Sequence, residues 1–140
     1  MAAYNKFQNT VEDILKKVHD FHADTLKVYL SNTTPDSAAD AVKADLAEIS
    51  AGNGYTAGGT DIQNTVSETS GTATVAAVDV VFTASGGSIA TARYACTYND
   101  TPSSPADPLV CWHDYGSALT LADGETLTVD WGSNKLFDLA

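Results

Sequence analysis

The stretch "AGNGYTAGG", residues 51–59, places four glycines in nine positions. Within it, Gly52-Asn53-Gly54-Tyr55-Thr56-Ala57 fits G-x-G-x-x-A, one spelling of the dinucleotide-binding fingerprint. That fingerprint works only when a strand enters the glycines and a helix leaves them, because the helix N-terminus must face the pyrophosphate. The flanks here run the other way. Residues 37–49 are rich in alanine, with Val42, Leu46 and Ile49 at helical spacing, which predicts a short helix. Asp36, Asp40, Asp45 and Glu48 make its outer face acidic. Thr60-Asp61-Ile62-Gln63-Asn64-Thr65-Val66, after the glycines, reads as strand. No lysine stands beside the glycines, as a phosphate loop requires, and no acidic residue closes a second parallel strand. The stretch is therefore expected to be a crossing from a helical N-terminal third into a β-rich body. Gly52, Gly54, Gly58 and Gly59 should take positive φ or meet backbone closely, binding no cofactor, with Tyr55 packing the loop down.

Upstream, Tyr4, Phe7, Val11, Ile14, Leu15 and Val18 recur at spacings of three and four. Thr10 can cap, Glu12 and Asp13 suit a first turn, and Lys16 and Lys17 suit a last one. A helix over about residues 9–18 follows, within an N-terminal helical arm of residues 1–20. Leu26, Val28 and Leu30 then alternate with Thr25, Lys27 and Tyr29, the pattern of a half-buried strand. Downstream of the glycines come Thr60–Thr69, Thr72–Thr83, Ile89–Tyr98, Leu109–Tyr115, Leu119–Leu121, Leu127–Trp131 and Leu136–Leu139, separated by turn residues. Seven or eight short strands at this spacing predict a mainly β fold, an antiparallel sandwich, jelly roll or barrel, with one or two short helices in the N-terminal third.

At 140 residues a single domain is expected, with residues 21–140 as its β-rich body. Hydrophobic residues make up 44% and charged residues 18%, which fits a globular chain rather than a disordered one. Seven basic against 18 acidic side chains give −11 at neutral pH. Such a surface repels phosphate backbones and anionic lipids, so neither nucleic acid nor membrane is an expected partner. It suits solubility and docking on a basic surface. No stretch approaches the ~20 apolar residues of a membrane span, and MAAYNKFQNTVEDILKK lacks the basic-then-apolar order of a secretory signal.

Candidate chemistry is sparse. His19 and His22 form H-x-x-H, but without the glutamate of H-E-x-x-H or an obvious third ligand. A helix-end role is expected, and no metal. His113 and Asp114 with Ser117 suggest a triad, yet neighbours in a strand point to opposite faces and no G-x-S-x-G elbow is present. No catalytic residue is expected. If Tyr94–Tyr98 and Leu109–His113 form a hairpin with Tyr98 opposite Leu109, then Thr97 faces Val110, Cys96 faces Cys111 and Arg93 faces Asp114. The thiols are expected to be a buried, reduced pair. Asp123-Gly124 predicts a further hairpin, with an odd loop pairing Leu121 with Leu127.

Three segments, "DTLKVYLSNTTP" (24–35), "ADLAEISAGNGYTAGG" (44–59) and "ARYACTYNDTPSSPADPLVCWHDYGSALTLADGETLTVDW" (92–131), jointly resemble small virion structural proteins of tailed bacteriophages and prophages. The similarity runs from about Phe21 to the C-terminus and carries no catalytic signature. The resemblance implies a capsid cement or decoration protein: made in the host cytoplasm, placed on the capsid surface, bound to the major capsid protein and self-associated as a dimer or trimer. On that reading Tyr4, Phe7 and Val11 are candidates for a docking arm. A tail- or fibre-associated attachment protein is the alternative, with Tyr98, Trp112 and Tyr115 as exposed contacts.

Overall fold

The computed structural model describes residues 3–140, and ten strands among them form an antiparallel, mainly β fold. The strands are β1 (Ala3–Lys6), β2 (Leu26–Ser31), β3 (Thr60–Asp61), β4 (Thr65–Thr69) and β5 (Thr72–Ala76). They continue with β6 (Val80–Thr83), β7 (Ile89–Asn99), β8 (Leu109–Leu121), β9 (Thr126–Val129) and β10 (Lys135–Leu139). One α-helix, α1 (Asn9–Leu15), and a single 3-10 turn at Lys43–Asp45 complete the elements. The strands form a five-stranded sheet in the order β1-β8-β7-β2-β3, a three-stranded sheet β10-β5-β4 and the pair β6-β9.

The two faces of the large sheet bury different clusters. Leu26, Val28 and Leu30 of β2 point one way and join Val75, Phe82 and Leu127 from the smaller sheets, with Ile62 and Trp131 from the loops beside them. This is the inside of a sandwich. Tyr29 of β2 points the other way and joins Phe7, Leu46, Tyr94, Cys96, Tyr98 and Leu109, with Trp112 at the margin. β2 is thus buried on both faces, and Tyr29 is fully buried rather than half-exposed.

The N-terminal segment is not a free arm. β1 pairs antiparallel with β8, setting Tyr4 opposite His113 and Lys6 opposite Cys111. Phe7 is 0% exposed in the aromatic cluster, whereas Tyr4 and Val11 remain partly exposed. Met1 and Ala2, the rest of the proposed arm, lie outside the described residues. α1 ends at Leu15, three residues short of the expected end, where Lys17 takes a φ of 60°. Thr10 does not cap it. Its hydroxyl turns into the sheet and donates to the carbonyls of Leu109 (3.0 Å) and Val110 (2.9 Å).

Those carbonyls sit at the bulge that overturns the expected register. Tyr98 does pair with Leu109, but Thr97 then pairs with Cys111 and Cys96 with Trp112. Val110 is the extra residue, and a one-residue slip sends every later side chain to the other face. Cys96 therefore joins the aromatic cluster and Cys111 the sandwich core, both as free, buried thiols. Burial raises both thiols, that of Cys111 to about 12. Arg93 is not directly opposite Asp114, which pairs with Tyr94, yet it still reaches the carboxylate with two hydrogen bonds of 2.8 and 3.0 Å.

Three further expectations fail. Residues 37–49 do not form an α-helix. Asp36 accepts from the amides of Ala38 and Ala39, and Asp45 from those of Ala41 and Val42. These side chains thereby take the donors that a helix would use. Thr60–Thr69 and Thr72–Thr83 each split in two. Gln63, at a φ of 51°, ends β3, and the chain crosses to β4 in the other sheet. Asp123-Gly124 makes a turn but no hairpin. β9 pairs with β6, Leu127 opposite Phe82, because the turn docks on the end of β6 through Gly124 N–H to Ala84 O (2.8 Å).

The glycine stretch has the expected backbone. Gly52, Gly54, Gly58 and Gly59 have φ of 130°, 99°, 91° and 75°. A Cβ on Gly59 would collide with the backbone carbonyl of Val28, whereas one on Gly52 would meet nothing within 4 Å. Gly59→Ala should therefore cost at least about 3 kcal/mol. Gly52→Ala should cost only the strain of its backbone, about 1–2 kcal/mol. Urea unfolding of both variants measures the difference, and equal losses would contradict the close approach to β2. Denatured, non-reduced protein should take two maleimide labels and native protein none; a single label, or none, after denaturation rejects two free thiols.

Candidate functional site

The Glu48 carboxylate draws three partners together. Its Oε1 accepts from the Tyr55 hydroxyl (2.8 Å) and the Gly58 amide (2.6 Å), and its Oε2 pairs with Lys43 Nζ (2.7 Å). Tyr55 OH in turn accepts from the Leu30 amide (3.0 Å), and Tyr98 OH donates to the Gly58 carbonyl (2.7 Å). Lys43 Nζ lies 5.0 Å from the Tyr29 ring centre and 5.6 Å from that of Tyr98, within cation–π range. Burial pushes the Glu48 carboxyl up, but the bonds from Lys43, Tyr55 and Gly58 and the lysine charge outweigh it and hold it below the ordinary value.

This knot decides the glycine motif. A phosphate cradle needs backbone amides free to point at the ligand. Here the Gly52 amide donates to Tyr55 O, the Tyr55 amide to Gly52 O, the Gly59 amide to Thr56 O and the Gly58 amide to Glu48. The loop is a strap tied across the large sheet, and Glu48 is the residue that sequence reasoning passed over. It counted there only as one of four acids on an expected helix face.

The remaining candidates do not converge. His19 and His22 lie beyond the end of α1, not on one helical face. His19 is buried, stacks on Phe21 at 5.0 Å between ring centres, and its Nδ1 lies 3.1 Å from the Asn99 amide nitrogen. Burial lowers its pKa, against the pull of Asp13 and Asp24. His22 is exposed. His113 and Asp114 face opposite sides of β8: the imidazole meets Trp131 in the core, and the carboxylate holds Arg93 and the Gly116 amide. The Arg93 bond and then the Gly116 bond keep Asp114 below the ordinary carboxylate value. Among the described residues, no three His, Cys, Asp or Glu side chains are grouped to hold a metal. No helix among them is long and apolar enough to cross a membrane.

Two clefts remain. One, of about 660 Å³, opens between β8 and β9 and carries Arg93, Asp114 and Asp130 at its polar margin. The other, of about 620 Å³, lies between the loop after α1 and the β10-β5-β4 sheet, and Phe21, Val66, Val75 and Phe137 make it mostly apolar. Apolar side chains stay exposed on α1, where Val11 and Leu15 lie four apart on one face, and at Tyr4 of β1 and Tyr115 of β8.

His113 supplies a test of the core. Its ring lies between Tyr4 (5.5 Å) and Trp131 (5.3 Å), its Nδ1 is buried without a hydrogen-bond partner, and burial lowers its pKa to about 4. An unfolded histidine takes its proton near pH 6.5. The folded state is therefore favoured in full above about pH 6.5 and loses that advantage as pH falls toward 4, by up to about 3 kcal/mol. Unfolding free energies at pH 7 and 4.5 should drop by about 2–3 kcal/mol more in the wild type than in His113→Phe; equal drops would contradict a buried neutral imidazole. Comparison with protein-family models, with curated protein sequences and with solved structures gives no match to this chain.

Proposed function

We propose that this chain is a non-enzymatic structural protein of a tailed-bacteriophage virion, one that binds the outside of the capsid and strengthens contacts between major capsid subunits. The observation that carries the reading is the joint resemblance of segments 24–35, 44–59 and 92–131 to such proteins. The charge of −11 supports it, because an acidic module docks well on basic patches of a shell. So does a polar inventory spent on holding the fold, with Glu48, Asp45 and Asp114 all engaged by their own chain. The contact would be a face rather than an arm, with Val11 and Leu15 of α1 and Tyr4 of β1 as its apolar part. As a dimer or trimer over many symmetric sites, each copy needs only a weak contact.

Cryo-electron microscopy of the virion tests the assignment. Copies distributed over the shell are expected, and their release should rise with salt. Copies found only on the tail or its fibres would replace this reading with an attachment role. Leu15→Asp, at a side chain 83% exposed, should weaken capsid binding at least tenfold and leave the thermal midpoint unchanged.

A further inference from the structure

β8 and β9 are joined by the tight turn at Ala122–Glu125, yet they do not pair. They diverge from it, and the 660 Å³ cleft fills the gap where a hairpin ladder would run. Four consecutive residues of one wall, Leu127, Thr128, Val129 and Asp130, border it. A run of consecutive residues brings backbone as well as side chains to the border of the cleft. Among the described residues β9 pairs with β6 alone, so its other edge carries no strand.

The opposite wall is the large sheet, with Ala92–Ala95 of β7 and Leu30 of β2 behind β8, and here β8 also has an open edge. β1 covers β8 only from Cys111 to Asp114 among the described residues. Beyond Asp114, β8 leaves its β7 ladder for a four-residue excursion, Tyr115–Ala118, and rejoins it at Leu119 opposite Ala92. Tyr115 is 53% exposed at the mouth. The seam is therefore flanked by backbone without strand partners, and such edges invite another strand. Leu119, Leu127 and Val129 give it an apolar floor.

Charge selects the occupant. The Arg93 guanidinium is tied to Asp114 by two hydrogen bonds, while Asp130 bonds only its neighbour's amide, Gly132 N–H, at 2.6 Å. The cleft thus offers a carboxylate without a cation, in a chain of net charge −11.

We propose that the β8–β9 seam is a slot for an extended, basic segment of a partner protein, which adds a strand to the open edge of β9 by main-chain hydrogen bonding. Its alternate apolar side chains lie on Leu119, Leu127 and Val129, and its basic side chains face Asp130. The slot does not depend on where in a virion the protein sits.

A ten-residue peptide of alternating valine and lysine, fluorescently labelled, is the probe. A control peptide of equal charge carries proline at two central valines and cannot build a ladder. At physiological ionic strength the alternating peptide should bind at least tenfold more tightly by polarisation. It should also slow hydrogen exchange at Leu127–Asp130 and at 115–119. Asp130→Lys should weaken it at least tenfold without changing the thermal midpoint. Equal affinity for the two peptides, protection elsewhere, or no binding overturns the proposal. Protection of the same amides by concentration alone, without peptide, also overturns it, because the slot would then serve a second copy of this chain.

Discussion

The central strands of the large sheet are buried on both faces, and most other features follow from that. β2 and β7 carry apolar side chains outward as well as inward: Tyr29, Tyr94, Cys96 and Tyr98 on one side, Leu26, Val28 and Leu30 on the other. A second sheet covers the inner face. Among the described residues no second sheet covers the outer face, so irregular chain lies on it, and irregular chain brings backbone polar groups that need partners. Phe7, ahead of α1, and Leu46, within residues 36–50, supply the cover, and side chains of the second stretch supply the partners. Asp36 and Asp45 bond the amides of the excursion, and Ser31 donates to the Ala47 carbonyl at 2.7 Å. Glu48 ties Lys43 of that stretch to Gly58 of the glycine strap.

The glycines are a consequence of the same constraint. To lie flat on β2, the strap must bring its backbone against another backbone, and at Gly59 no side-chain carbon fits beside Val28. Tyr55 and Tyr98 reach across with their hydroxyls while their rings stay in the apolar layers. A carboxylate in such a place is costly when unpaired. With one lysine and two further donors it becomes a specific clasp, one that a lysine stacked on two tyrosines would not form alone.

What was legible in the sequence was whatever depends on near neighbours. The alternation in Leu26–Leu30, the strand content after Gly59 and the positive φ of the glycines all come from local pattern. The hairpin of β7 and β8 was legible from the proline-rich loop between them, and its register was assumed. What was not legible needed distant partners, or turned on a local competition between side chains and backbone that periodicity does not show. The Val110 bulge is held by Thr10 and Phe7, about a hundred residues away, so nothing between Tyr94 and His113 announces it. The helical period of Val42, Leu46 and Ile49 was real, but the aspartates beside it competed for the same amides and won. Glu48 stayed hidden among acids because its distinction lies in three donors brought together by folding. The divergence of β8 from β9 was hidden likewise, since Asp123-Gly124 encodes a turn and not what the strands do afterwards.

The distribution of charge bears on partners more than on stability. Five of the seven basic side chains are already in ion pairs, with Glu12, Asp100, Glu48, Asp114 and Asp138. Most of these pairs are partly exposed, and such pairs contribute little. Their larger effect is to consume the protein's own cations, so the acidic surplus falls on carboxylates with no lysine or arginine to answer them. Copies of this chain then repel one another except where an apolar patch is large enough to overcome it. Any basic surface is attracted from a distance, up to the screening length of about 8 Å at physiological salt. A fold built this way favours contact with a partner of opposite charge, and a dimer or trimer of it must rest on apolar area rather than on charge.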